Sequence, residues 1–151
     1  MGARRKGREL AVQALYQIEV RGDPSGEALS LFWDQSEAGS GAKAFAAALV
    51  TGVADQRQRI DALITGACEH WRLERLSAVD LNVLRVATFE LLQNPPPPTS
   101  VVLDEAIEIA RRFGTADSSV FVNGVLDQIA ARLGLKEPAH GPAARGGRND
   151  G

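Results

Sequence analysis

Ser77-Ala78-Val79-Asp80-Leu81-Asn82-Val83-Leu84-Arg85-Val86-Ala87-Thr88-Phe89-Glu90-Leu91-Leu92 is too apolar to turn any broad face to water. Ser77, with Asp80 three residues on, forms a capping box: the serine oxygen can accept an orphaned backbone amide while the acid favours the positive end of a helix. The run after it carries Leu81, Val83, Leu84, Val86, Ala87, Phe89, Leu91 and Leu92, apolar nearly all round, which predicts a central helix wrapped by others. Arg85 and Glu90 stand inside this run, and a charge there needs a partner, so both are expected to be structurally paired. Asn94 and the Pro95–Pro98 run stop the helix, because proline has no amide hydrogen to donate and restricts the residue before it.

Upstream, Leu10, Ala11, Ala14, Leu15 and Ile18 recur at helical spacing, predicting a helix over residues 3–20 that ends at Gly22-Asp23-Pro24. Val12, Tyr16 and Val20 form a second stripe about a third of a turn away. That stripe either meets another chain or packs within the fold. Pro24 suits the first turn of a next helix with Ala28, Leu29, Leu31, Phe32 and Trp33 on its apolar side, followed by a loop from Glu37 to Lys43. Phe45, Leu49, Val53, Ile60, Leu63, Ile64 and Ala67 continue the helical period to about Glu69, with a break near Gly52, and Trp71 and Leu73 are expected to fold back onto it.

Downstream of the prolines, Val102, Ala106, Ile109 and Ala110 predict a helix from Thr99 to Phe113, with Gly114 as a left-handed C-cap. Asp117 and Ser118 are plausible caps for a last helix, in which Phe121, Val122, Val125, Leu126, Ile129 and Leu133 recur at three and four through Asn123-Gly124 until Gly134. Residues 136–151 are Gly, Pro, Ala and charge without periodicity, and are expected to be a disordered tail. No segment alternates with the period of a strand. The fold class is therefore all-α, with about six or seven helices in two small packed bundles, an amino-terminal lobe of about 3–70 and a carboxy-terminal lobe of about 71–135.

The chain has 151 residues, 44% of them hydrophobic and 24% charged, enough for a core without metal or disulfide staples. Cys68 is the only cysteine, so no intramolecular disulfide is possible and a reduced, cytoplasmic protein is expected. His70 does not share a helix face with Cys68, which argues against a nucleophile pair. The weakly polar run Ala44 to Ala54 is shorter than the roughly 20 apolar residues of a membrane span. Arg4-Arg5 is not followed by the apolar stretch of a twin-arginine signal, and Met1-Gly2 has Lys6 where myristoylation wants Ser or Thr. Gly39-Ser40-Gly41-Ala42-Lys43-Ala44 fits a dinucleotide fingerprint formally, yet no strand precedes it. There is no P-loop and no metal-ligand cluster, His70 and His140 lie far apart, and Asp104, Glu105 and Glu108 sit where acids favour a helix dipole. No catalytic residue, cofactor or metal is expected.

The net charge of −2 hides an asymmetry: Arg4, Arg5, Lys6 and Arg8 give residues 1–8 a charge of +4, leaving −6 on the rest. Such a cluster suggests a polyanion contact, or else a solvated, frayed terminus. Arg4 and Arg8, one turn apart, could grip successive phosphates. With few aromatic residues to read bases, specificity must come from few side chains or from a partner.

Arg4-Arg5-x-x-Arg8-Glu9 followed by Ala11-Val12-Gln13-Ala14-Leu15-Tyr16 resembles the opening of the NusB family of bacterial transcription antitermination factors. Leu84-Arg85 with Glu90-Leu91, then Asp104 to Ala110, Phe113-Gly114, Asp117-Ser118 and Phe121-Val122-Asn123-Gly124-Val125-Leu126, resembles the rest of that family's signature, so the likeness covers about residues 3–133. It departs at the Pro95–Pro98 run, from Gly22 to Lys43, and in the tail. The resemblance implies a non-enzymatic factor that binds box A RNA together with NusE, a small-subunit ribosomal protein, in RNA polymerase complexes with other Nus factors on ribosomal RNA operons. It further implies that Arg4, Arg5, Lys6 and Arg8 contact RNA with Asp117, Ser118 and Phe121 nearby, and that Tyr16, Val20, Glu74 and Asp80, with Val12 of the same stripe, face NusE. The spacing of Phe121 with Val125 and Ile129 favours core packing over base stacking. The nearest alternatives are an ancillary RNA-binding domain of the ribosomal RNA cytosine methyltransferase type and a helical protein-interaction factor.

Overall fold

The structure, a computed structural model, describes residues 2–22, 27–68 and 73–135. Among these residues it has seven helices and no strand: α1 (Ala3–Arg21), α2 (Glu27–Gln35), α3 (Ser40–Asp55), α4 (Arg57–Ala67), α5 (Ala78–Leu91), α6 (Thr99–Phe113) and α7 (Ser118–Arg132), with a short 3₁₀ turn at Leu73–Arg75. The expected positions of Pro24, His70, Trp71, His140 and the 136–151 tail lie outside the described residues.

Ser77 opens α5 as the capping box requires, its Oγ accepting from the Asp80 amide at 3.0 Å. From Leu81 to Thr88 every residue of α5 is buried, and the helix packs against α1, α3, α4, α6 and α7. One core runs through all of these helices, from Leu10 and Leu15 of α1 through Leu49, Ile60 and Leu84 to Ile109 and Leu126.

Both charges inside α5 are paired. Arg85 donates through Nε and Nη2 to the Asp61 carboxylate at 2.9 and 3.1 Å, and through Nη1 to Glu19 Oε1 at 2.9 Å and Asn82 Oδ1 at 3.3 Å. Glu90 accepts from Arg8 Nε at 2.7 Å and Nη2 at 2.9 Å. Since Arg8 meets Glu90 and Glu19 meets Arg85, α1 runs antiparallel to α5 and is clamped near each end.

Several local expectations are corrected by long-range packing. The loop ends earlier than Lys43, because α3 already begins at Ser40. The break falls at Gln56 (φ −112°, ψ 22°) rather than at Gly52. Gly52 is instead the seat of a ring: a Cβ there would stand 2.1 Å from Phe89 Cζ. Gly114 is extended (φ −99°, ψ −159°), not left-handed, and its missing side chain makes room for Ser118, whose Oγ would lie 2.3 Å from a Cβ. Asp117 precedes α7 without a side-chain cap, and the Ser118 hydroxyl accepts from the Thr115 amide at 2.9 Å, closing the preceding turn instead. As expected, α7 runs through Asn123-Gly124, and Gly134 (φ 76°) follows its end.

Removing one member of a buried ion pair strands the other charge in low dielectric, a loss of about 3–5 kcal/mol. Arg8→Ala is therefore expected to lower the chemical-denaturation free energy by that order, while Arg8→Met combined with Glu90→Leu recovers most of it; equal loss in the single and double variants would contradict the pairing.

Candidate nucleic-acid interface

The first turns of α1 carry four cations that the fold treats differently. Arg4 and Lys6 are exposed, and the Arg4 guanidinium lies over the Phe45 ring at 4.6 Å. Arg5 is partly exposed and donates through Nε and Nη2 to both Glu105 oxygens, each at 2.9 Å. Arg8 is only 5% exposed and committed to Glu90. The phosphate contact expected of Arg8 is thus corrected: its helical position points to a carboxylate on α5 that sits 82 residues away in sequence.

The bidentate hydrogen bonds from Arg5 hold the Glu105 carboxyl below the usual carboxylate range, outweighing the partial burial that pushes the other way. They raise Arg5 in turn. On the same flank, buried Glu9 accepts from Arg112 Nη1 at 3.1 Å. The Arg112 side chain is still 64% exposed, with its guanidinium 5.3 Å from the Phe113 ring, so α6 adds a cation beside those of α1. The sequence carried only a weak hint of it, two arginines in the last turn of a helix, where cations suit the dipole.

Asp117, Ser118 and Phe121 come together, though with Asp80 rather than with the basic turns. They line a groove of about 260 Å³ that also holds Arg75, Ser77 and Thr115. Asp117 is exposed, Phe121 is half-buried against the core, and Ser118 is 2% exposed, which corrects its expected availability to RNA: its hydroxyl is spent on the Thr115 turn. Asp80 Oδ1 is buried with no hydrogen-bond partner among the described residues.

The Val12–Tyr16–Val20 stripe divides. Val12 is 3% exposed and packs in the core, whereas Tyr16 is 41% and Val20 60% exposed. Val12 forms part of the lining of a groove of about 430 Å³, with Gln13, Tyr16 and Gln17 on one side and Phe32, Val79 and Phe113 on the other. Phe32, Val79 and Phe113 were not foreseen, since nothing in their local spacing says that three distant segments meet at Tyr16. Glu74 is exposed and borders a separate groove with Glu19 and Arg85.

Among the described residues no group of three His, Cys, Asp or Glu could hold a metal ion, and no helix is long and apolar enough to cross a membrane. The NusB family model matches residues 5–131. This chain belongs to the NusB family. The transcription antitermination protein NusB of Geobacter sulfurreducens is 48% identical over 134 residues, which span 88% of this chain and 97% of that one. A structure of T. maritima NusB superposes with a TM-score of 0.74 at 41% identity, covering 85% of this chain and 90% of the other. A structure of the antitermination factors NusB and NusE in complex with dsRNA contains a chain that is 25% identical, with a TM-score of 0.78 and coverage of 87% and 98%.

Because the Glu105 carboxyl is lowered by its partner, the pair stabilises the fold above the ordinary glutamate value of 4.5 and is lost as pH falls below it. Denaturation midpoints of the wild type and Glu105→Gln are expected to differ by a constant amount near neutrality and to converge as pH drops below 4.5. A gap unchanged down to about pH 3 would contradict the assignment.

Proposed function

We propose that this protein is a non-enzymatic transcription antitermination factor that binds box A RNA jointly with NusE, within RNA polymerase complexes that carry other Nus factors on ribosomal RNA operons. Such partners place it in the cytoplasm. Family membership and the NusB and NusE complex with dsRNA support the reading. The observation that carries it here is the division of α1 into two outward surfaces on one clamped helix: Arg4 and Lys6 near its start, Tyr16 and Val20 farther along.

In this reading Arg4, Lys6 and Arg112 meet phosphates directly, and Arg5 joins them by exchanging Glu105 for a phosphate oxygen, an anion that suits the same guanidinium fork. Arg8 is a positioning residue that keeps the basic turns in place. Tyr16 and Val20 receive NusE along the groove walled by Phe32, Val79 and Phe113, with Asp80 and Glu74 meeting it from neighbouring grooves. Phe121 and Asp117 border the same region through their groove with Asp80, and there Phe121 can present one ring edge to RNA while its body stays in the core. Residues of about 3–70 and 71–135 act as two lobes joined along α1 and α5.

Point substitutions test this better than truncation, because Gly7 and Arg8 belong to the buried fold. Three or four phosphate contacts on a single strand should give a log–log salt slope of about −2 to −3 for box A binding in the presence of NusE. Arg4→Gln with Lys6→Gln is expected to shrink that slope by about 1.4 and weaken binding at low salt without changing helix content. A wild-type slope near zero would overturn the proposal. Tyr16→Ala should weaken NusE binding about tenfold or more with little change in thermal stability, whereas a large stability loss would make Tyr16 a core residue.

A further inference from the structure

A second surface of α1 faces away from Glu105 and toward α3, where a groove of about 550 Å³ opens between Arg4, Phe45, Phe89, Gln93 and the Pro95–Pro97 run. We propose that this groove is a pocket for one unstacked base of single-stranded RNA, a deepening that rests on the RNA-binding reading above.

Its walls are flat and held in place. Phe45 is half-buried and sits so close to α1 that a Cβ on Gly7 would lie 2.7 Å from its Cδ2, just as Phe89 is pressed onto Gly52. Both rings are therefore fixed by backbone rather than free to turn. A base that takes the place of the Arg4 guanidinium over Phe45 stacks on a preset ring and orders few extra side-chain torsions. The prolines supply an apolar wall without amide hydrogens, so a base laid against it leaves no backbone donor unpaired.

The polar groups fit the same occupant. Gln93 Nε2 donates to the Phe89 carbonyl at 3.3 Å, which orients the amide and leaves its carbonyl oxygen to accept from an exocyclic amine or ring N–H. Glu90 lines the groove too, and alone it would repel a nucleic acid, yet both its oxygens are taken by Arg8. The rim then carries exposed Arg4, so whatever enters has an anionic group beside a flat centre. A nucleotide within a strand has that chemistry. A base paired in a duplex does not expose its face, so the occupant is single-stranded.

The test uses the full chain with NusE and a single-stranded box A RNA carrying 2-aminopurine at successive positions. One position is expected to change fluorescence on binding. Phe45→Leu and Gln93→Ala should each abolish that change and weaken binding about tenfold while leaving the salt slope at the wild-type value. Circular dichroism melts check that each variant folds, and Gln93→Ala decides alone if Phe45→Leu does not. Wild-type affinity in Gln93→Ala, with Arg4→Gln still weakened, would overturn the pocket and leave the RNA reading standing. A salt slope reduced in Phe45→Leu as far as in Arg4→Gln would also overturn it, because the ring would then serve only as a platform for the guanidinium. Failure of the wild type to bind the RNA at all would instead remove the underlying reading and the pocket with it.

Discussion

Arg8 and Glu90 face each other across the buried seam between α1 and α5, and the rest of the molecule is arranged around keeping them together. Two ions taken out of water are tolerated only when their geometry is good, and here a guanidinium fork meets both carboxylate oxygens at 2.7 and 2.9 Å. The interaction has a fixed length and direction, so it sets the register of α1 on α5. At the opposite end Arg85 gathers Glu19 and Asp61, tying α1 to α4 as well. A helix clamped at two points cannot slide or roll, and groups on its outer faces keep their separation.

That rigidity is what makes a composite surface possible. Arg4 and Tyr16 are twelve residues apart, about 18 Å along a helix, too far for one small ligand and suitable for two macromolecules meeting side by side. The flank of α1 is also less positive than its composition suggests, because Arg5 and Arg8 are engaged by carboxylates while Glu9 draws Arg112 toward the same side. Affinity for a polyanion would then depend on which pairs a phosphate can displace. Arg5 lies at the surface and can exchange; Arg8 is sealed beneath it.

The Pro95–Pro97 run and Phe45 gain meaning in the same frame. A proline stretch reads locally only as the end of a helix, and a phenylalanine at helical spacing only as core. Packed over Gly7 and beside Phe89, they become two sides of one groove next to Arg4.

The amino-acid sequence by itself determined the helices, the central place of α5, the capping by Ser77, the need of Arg85 and Glu90 for partners, and the motifs of the family, because each depends on residues within a few turns of one another. It misplaced the break at Gly52 and the cap at Asp117, and it was silent on the burial of Arg8, Val12 and Ser118. Helical periodicity says which side chains share a face and is silent about what lies opposite that face. Only the tertiary structure decided that Arg8 meets Glu90 while Arg4 lies over the Phe45 ring, that Tyr16 faces Phe32 and Phe113 while Val12 sinks beneath them, and that Glu105 holds Arg5. Those pairings join residues as many as 100 positions apart, and they form only when the apolar stripes have already brought the helices into contact.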